Sequence, residues 1–381
     1  MKIYFYTNIM NPLGQYFTKN AVLKEKVYSF ILNNPSKILE PSIGRGDLIL
    51  SEYSFDMYEI DESIELLDHI TKSDVIYCDF LQENINIKYD TIIGNPPYIK
   101  TKGGNTYIQF IKKCWNLLEE NGELVFIIPS DFFKLTHSKD ILNQMMKDGT
   151  FTHIYHPNNE NLFENASIDV LIFRYCKNNQ LPHVVLYNDT PMYIKNTNGI
   201  LTFIENNSED TKIFSDFFDI YVGIVSGKEE VYKNNELGNI DVLIGENQVE
   251  KYILLEDFPS ENDYLNDYLL FHKVPLMQRQ IRKFNQSNWY QWGALRNIDK
   301  VRKNWGKECI YIHNLTRKEI VAFKGVVQYF NGNLIMLLPK TSCDLDKITE
   351  YLNSNTFKKN YMFSGRFKIG HRQISNAIMP L

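Results

Sequence analysis

The sequence predicts an α/β protein, with a mostly parallel sheet of seven strands in the first half of the chain and a second, mixed α/β domain after it. Three observations carry this expectation. Short, branched apolar runs alternate with polar turns and helical stretches from Lys37 to Tyr175, the pattern of a sheet covered on both faces. Polar side chains close four of these runs in succession, at Glu40, Glu59, Asp79 and Asn95, and open parallel sheets bind ligands at the carboxyl ends of their strands. A loop-rich stretch from residue 176 to 210, containing KNNQ, NTNG and ENNSED, then separates two halves of opposite charge balance.

The elements follow in order. After the turn-rich NPLGQYFT (residues 11–18), a helix is expected from Asn20 to Leu32, ended by Asn33-Asn34-Pro35. Lys37 to Leu39 reads as a first strand, opening into Glu40-Pro41-Ser42-Ile43-Gly44-Arg45-Gly46-Asp47, with a helix expected to resume at Leu48. Glycines in a strand-to-helix turn let backbone approach a nucleotide-like ligand closely. The third glycine of a dinucleotide site is missing, and the acidic Glu40 would repel a phosphate but suits a cationic amino group. A second strand, Phe55 to Tyr58, ends in Glu59, thirteen residues after Gly46, where a carboxylate can accept both hydroxyls of a ribose. A third, Val75 to Tyr77, ends in Cys78-Asp79-Phe80, which supplies a carboxylate for an adenine amino group and a ring to pack on the base. Further strands are expected at 91–93, 124–128, 152–155 and 169–175, with a helix from Asn105 to Leu118 whose Ile108, Ile111, Cys114, Trp115 and Leu118 keep helical spacing.

The fourth strand runs into Gly94-Asn95-Pro96-Pro97-Tyr98. Two prolines stiffen the loop. The Pro96 carbonyl and the Asn95 amide oxygen are acceptors, and Tyr98 adds a flat face. That combination suits a planar substrate with an exocyclic NH2, whose hydrogens are held while its ring stacks.

Composition narrows the function classes. With 44% hydrophobic residues over 381, the chain is long enough for two cores. No apolar run reaches the roughly 18 residues of a membrane span, and MKIYFYTNIM is too short and polar for a secretory signal. A soluble, cytoplasmic protein with no membrane partner is therefore expected. Five cysteines, Cys78, Cys114, Cys176, Cys309 and Cys343, are widely spaced, and His153 and His156 lack further ligands nearby, so neither disulfides nor a metal site is expected. Residues 1–210 hold 18 Lys and Arg against 27 Asp and Glu, whereas residues 271–340 hold 13 against 3. Arg, Lys, amide and aromatic residues interleave there, as in QRQIRK and NWYQW. Lys273, Arg279, Arg282 and Lys283 are accordingly candidates for phosphate contacts on nucleic acid.

The ordered set GQYFT, LEPSIGRGD, YEID, CDF, NPPY and NLFENASIDVLIFRY resembles the S-adenosylmethionine-dependent N6-adenine DNA methyltransferases, in the arrangement with cofactor motifs first and a C-terminal target-recognition domain. The resemblance covers residues 11–175 in motifs. More loosely it extends to Gly223-Ile224-Val225-Ser226-Gly227-Lys228 and to the terminal RQISNAIMPL. It implies a class I methyltransferase sheet in residues 1–208 and recognition of double-stranded DNA by residues 209–381. It also implies roles. Thr18 meets the cofactor carboxylate; Glu40 and the turn from Gly44 to Gly46 hold its methionine part; Glu59 takes the ribose, and Asp79 and Phe80 take the adenine. Asn95 and Pro96 hold the target amine, Tyr98 stacks on the flipped base, and Phe163 packs on or beside it. Two positions depart from the family pattern: Lys19 stands where a proline is common after the threonine, and Arg45 stands where a small residue is common between the glycines.

The adenine N6 lone pair is delocalised into the ring, so acceptors on its hydrogens are what would make it nucleophilic. The amine is buried in a duplex, so the base must be swung out. Rival readings are an RNA adenine methyltransferase, a protein-glutamine methyltransferase, whose side-chain amide presents the same NH2, and a non-catalytic DNA-binding protein. A cognate restriction endonuclease is a partner the resemblance allows, and the biological setting would then be restriction-modification or viral DNA marking. The sequence shows no nuclease cluster of its own.

Overall fold

The computed structural model describes residues 14–101, 104–164, 166–205 and 212–379. The boundary expected near Ser208, the opening MKIYFYTNIM with Asn11 to Leu13, and the final Pro380-Leu381 lie outside the described residues. The chain divides into two compact units, Met1–Glu209 with Phe363–Gly365, and Asp210–Met362 with Arg366–Leu381.

The first unit is built on one sheet. Its strands are β1 (Ile38–Glu40), β2 (Phe55–Glu59), β3 (Val75–Tyr77), β4 (Tyr89–Gly94), β5 (Leu118–Pro129), β6 (Thr150–Tyr155), β7 (Val170–Cys176), β8 (Val184–Tyr187), β9 (Thr190–Thr197) and β10 (Ile200–Ile204). Their spatial order is β10-β9-β8-β6-β7-β5-β4-β1-β2-β3. Strands β3-β2-β1-β4-β5 pair in parallel, and β7 runs antiparallel between β5 and β6. The seven expected strands therefore form the class I methyltransferase sheet. Side chains alternate across it: Leu39, Ile92, Leu124 and Phe126 join one buried cluster with helix α2 (Thr106–Leu117) and helix α3 (Lys139–Asp148), whereas Ile38, Ile93, Val125 and Ile127 join another with helix α1 (Ala21–Ser29). Period-two alternation in an apolar run is what burial on both faces requires.

Three differences from expectation have local causes. Residues 176–210 are not simply a linker, because β8, β9 and β10 extend the sheet to ten strands. Asn188-Asp189 and Asn198-Gly199 all have positive φ, between 46° and 72°, the backbone of tight hairpin turns. Those turn residues read as loop composition, yet they fold the strands between them into antiparallel pairs. Second, no helix follows Gly46, and residues 41–53 form successive turns. Gly44 and Gly46 take positive φ, 55° and 91°, and the turn bonds Gly46 N to Ile43 O, Ile49 N to Gly46 O and Tyr53 N to Leu50 O take the place of helical ones. Third, α1 stops at Ser29 rather than Leu32. The buried Glu123 carboxylate accepts the Leu32 and Asn33 amides at 3.1 Å each, while also holding Arg174 at 2.6 Å, and so draws the chain out of the helix.

The second unit has an antiparallel four-stranded sheet, β11 (Phe218–Val222), β14 (Glu308–His313), β15 (Ala322–Val326) and β16 (Leu334–Pro339), ordered β11-β16-β14-β15. Helix α5 (Leu345–Asn353) buries Ile348 and Leu352 with Ile310, Ile312, Ile335 and Leu337 of that sheet. A hairpin, β12 (Ile240–Gly245) with β13 (Gln248–Tyr252), and helix α4 (Asp263–Phe271) form a separate cluster around Trp289, Tyr290 and Trp292. Mixed α/β architecture is thus present in both halves.

Candidate active site

Parallel pairing puts the ends of β1, β2, β3 and β4 on one edge of the sheet. Register aligns Glu40 with Met57 and Glu59 with Tyr77, and β4 continues from Gly94 directly into Asn95. A cavity of about 330 Å3 opens at that edge. Thr18, Glu40, Gly44, Glu59, Asp79, Phe80 and Asn95 all line it, so seven residues singled out from five separate stretches of sequence converge on one space.

Glu40 is 2% exposed, and its Oε1 accepts the Ser42 amide at 3.0 Å. Burial pushes its carboxyl up to about 8, helped by the nearby Glu59 charge and opposed by the Ser42 hydrogen bonds. Gly94 makes this seat available. A Cβ there would stand 2.9 Å from Glu40 Oε1 and 3.1 Å from the Phe126 ring. In the sequence Gly94 reads only as the stop of a strand, since the contact joins residues 54 positions apart.

Glu59 is the most heavily bonded group of the site. Its Oε2 accepts the Gly44 amide at 2.8 Å, and its Oε1 accepts the Ile60 and Asp61 amides at 2.9 and 3.1 Å and the Gln15 side-chain amide at 3.1 Å. Burial raises its carboxyl above the usual range, and the three backbone hydrogen bonds oppose that rise. Gly44 therefore acts through its amide as well as its turn. Gly46 does not line the cavity; its Cβ would stand 1.9 Å from Ile70 Cδ1, so its part is to let the turn pack.

At the end of β3, Asp79 is exposed and its Oδ1 accepts the Leu81 amide at 3.0 Å. The Phe80 ring stacks on Phe110 at 5.5 Å and meets Tyr58 edge-on at 5.2 Å. It is 2% exposed and shows the cavity only an edge. Asp47 closes the glycine turn, and spacing alone suggests no part for it. It lines the cavity, and its Oδ2 is buried with no hydrogen-bond partner among the described residues. An unpartnered buried carboxylate oxygen is a signal that only the fold provides.

Asn95 sits at the mouth. Its Nδ2 donates to the Tyr16 carbonyl at 2.7 Å and to Thr18 Oγ1 at 3.0 Å, which fixes the amide so that Oδ1 accepts from the Tyr98 hydroxyl at 2.5 Å. Ile127 O lies 3.1 Å from the same hydroxyl, so one proton has two acceptors within reach. Burial holds the Tyr98 phenol well above its ordinary range, and it stays a donor. Pro96 is buried and, like Tyr98 and Phe163, lies outside the cavity wall. Tyr98 and Phe163 instead close an aromatic triangle with Tyr16: centroids are 5.5 Å for Tyr16 to Tyr98, 5.8 Å for Tyr16 to Phe163 and 6.5 Å for Tyr98 to Phe163. Lys19, at the family's proline position, pairs with Glu164 at 2.5 Å on the surface.

The four basic candidates of the second unit part company. Arg279 requires a correction: it is 7% exposed, and its guanidinium donates to the carbonyls of Leu276, Ser226, Trp289 and Gln291 at 2.6 to 2.9 Å. It stacks on Phe284 as well, at 3.9 Å. Its charge ties together three stretches, at Ser226, Leu276 to Arg279 and Trp289 to Gln291, and is not presented to a phosphate. Gly223 to Lys228, singled out in the sequence, serves the same knot through the Ser226 carbonyl. Arg282 and Lys283 are exposed, and Lys273 is half-buried with its ammonium 5.2 Å from the Trp289 ring centre.

The cavity chemistry fits S-adenosylmethionine. Glu40, Asp47 and Glu59 present three carboxyl groups to a ligand that carries a sulfonium and an ammonium cation, and the Phe80 edge offers apolar contact for a base. Among the described residues no helix is long and apolar enough to cross a membrane, and no group of three His, Cys, Asp or Glu is placed to hold a metal.

Known proteins resemble this chain in sequence and in fold. Residues 48–163 match the family model of the Eco57I restriction-modification methylase. The chain is 29% identical over 203 residues to the type II methyltransferase M.HincII of Haemophilus influenzae, covering 46% of this chain and 39% of that protein. It is 34% identical over 145 residues to the modification methylase CviBIII of Paramecium bursaria Chlorella virus NC1A, covering 31% and 38% respectively. The chain thus spans about two-fifths of the length of these relatives. Among solved structures, the type IIL restriction-modification enzyme MmeI, determined in complex with DNA, superposes with a TM-score of 0.57 at 9% identity, covering 93% of this chain and 63% of that one. At that identity the likeness is one of fold. The motifs resemble S-adenosylmethionine-dependent N6-adenine DNA methyltransferases, and these matches support the coarser likeness, to restriction-modification methyltransferases.

Proposed function

We propose that this chain is a DNA methyltransferase that moves a methyl group from S-adenosylmethionine to N6 of an adenine swung out of duplex DNA, in a restriction-modification or viral DNA-marking setting. The observation that carries the reading is the position of Asn95. A rigidly oriented amide at the end of β4 lines the same cavity as the carboxyl cluster that suits the methyl donor.

The donor, when bound, supplies a methyl group on a positively charged sulfur. The remaining steps belong to the protein. Asn95 Oδ1 accepts one hydrogen bond from Tyr98 and, having two lone pairs, can accept another from the N6 amine. The Pro96 carbonyl takes the second N6 hydrogen. Both bonds draw the amine away from conjugation with the ring and leave its lone pair for the methyl group. No strong base is needed, because the nitrogen becomes acidic only after it has gained the methyl group. The apolar rings of Tyr98 and Phe163 offset part of the few kcal/mol of unstacking that flipping costs.

The test is incubation of the full chain with S-adenosylmethionine and unmethylated plasmid, followed by sequencing that locates modified bases. N6-methyladenine at a defined site is the expected product; modification confined to cytosine, or transfer only to RNA or protein, would overturn the reading. Asn95→Ala should lower single-turnover methyl transfer by about a hundred- to a thousand-fold, the usual cost of losing one preorganised polar contact to the reacting group. Its affinity for DNA should change little. Turnover close to wild type would remove Asn95 from the chemistry.

A further inference from the structure

The strap Gly14–Thr18 touches Glu59, Asn95, Tyr98 and Phe163. The ring of Tyr16 lies on the face of Tyr98, 5.5 Å away and inclined by 27°, and 5.8 Å from Phe163. These are the two rings assigned to the target base. Its carbonyl, meanwhile, takes the Asn95 Nδ2 hydrogen at 2.7 Å, and its neighbour Gln15 donates to Glu59 Oε1 at 3.1 Å, where a ribose hydroxyl would donate. The strap is held to the loop it covers, since the Tyr98 amide donates to the Gly14 carbonyl at 3.0 Å. Gly14 makes that crossing possible: its φ is +61°, and a Cβ would stand 2.4 Å from Ile99 Cγ1.

We propose that Tyr16 is a surrogate base, filling the stacking place of the target nucleobase until an extruded base displaces it. This deepens the reading above and rests on it. A flat ring at van der Waals range from Tyr98 and Phe163 keeps water off an apolar surface that would otherwise be exposed in the free enzyme. The incoming base must therefore exchange with a ring rather than enter a void, and a base that cannot match the Tyr16 contacts gains nothing by entering. Tyr16 is a positioning residue on this view. Its ring sets the threshold for entry and takes no part in methyl transfer, while its carbonyl keeps the Asn95 amide oriented.

The experiment is equilibrium dialysis of tritiated adenosine against the full chain saturated with S-adenosylhomocysteine, so that the cofactor cavity is already filled and only the base slot remains. Removing the competing ring in Tyr16→Ala should tighten adenosine binding by about three- to tenfold, the range set by one aromatic pair. Tyr16→Phe keeps the ring and should match the wild type. Equal affinity in wild type and Tyr16→Ala would overturn the proposal, as would tightening in Tyr16→Phe of the same size. Should Tyr16→Ala not fold, 3-fluorotyrosine at position 16 of the otherwise wild-type chain gives a second reading. Its fluorine resonance should move on saturation with adenosine, and a resonance that stays put while adenosine binds would overturn the proposal. Plasmid methylation by the wild type reports on the function separately, so the two ideas can fail independently.

Discussion

Glu40 is the residue whose protonation the site turns on. Its carboxyl is buried and pushed up to about 8, against about 4.5 for an exposed glutamate. In the empty protein it is neutral through the intervening range, whereas the unfolded chain is ionised there. Stability from this group is therefore full below about 4.5 and is lost as pH rises towards 8. A bound ammonium reverses the preference by favouring the carboxylate. Binding of S-adenosylmethionine near pH 7 should thus release a proton from Glu40 and strengthen as pH rises to 8. Titration calorimetry in two buffers of different ionisation enthalpy checks this: Glu40→Gln should remove that proton release and weaken binding. A variant releasing as many protons as wild type would show that another group titrates. Glu40, Glu59 and Asn95 were legible in the sequence because they end strands, and strand ends in a parallel sheet meet. Tyr16, Asp47 and Gly94 were not, because their parts depend on contacts between segments that no spacing rule relates.

At the level of elements, what was readable tracked periodicity. The seven central strands and α2 lie where alternation and helical spacing place them, within a few residues, except that β5 starts at Leu118, six residues before the expected Leu124. The extra strands β8 to β10 were missed because Asn-Asp and Asn-Gly pairs mark a loop and a hairpin alike until the flanking residues find a sheet edge. Arg279 shows the opposite error: composition predicts its charge but not its burial. The knot it ties makes a sharp prediction. Arg279→Met takes the guanidinium from four carbonyls, of which Ser226 and Gln291 keep another donor, and should destabilise the second unit by on the order of 3 kcal/mol. Thermal unfolding followed by Trp fluorescence reports on it, since Trp289 and Trp292 belong to the same cluster. If Arg279→Met melted with the wild type while weakening DNA binding, the residue would be a DNA contact after all.

For the whole molecule, the charge difference between the halves is the clearest guide to where the proposed DNA contact lies, once Arg279 is set aside. Lys273, Arg282 and Lys283 stay as the proposed phosphate contacts. Neutralising all three should weaken DNA binding and flatten the plot of log affinity against log salt by about 0.9 for each phosphate left without its cation. An unchanged slope, measured by fluorescence anisotropy across a salt series, would move the interface elsewhere. The second unit was legible only in class, since its short strands carry no motif that fixes their order, and the four-stranded β11-β16-β14-β15 arrangement could not have been written down from the sequence.

Gly94 carries a consequence for anyone who would transplant this chemistry. A Cβ at this position would press on the Glu40 carboxylate at 2.9 Å and on the Phe126 ring at 3.1 Å, so the proposed catalytic tetrapeptide and a carboxyl group far from it in the chain are packed as close neighbours. A graft of Asn-Pro-Pro-Tyr onto another scaffold would bring the amide and lose the cation seat, unless the preceding glycine and a glutamate on the adjoining strand travelled with it.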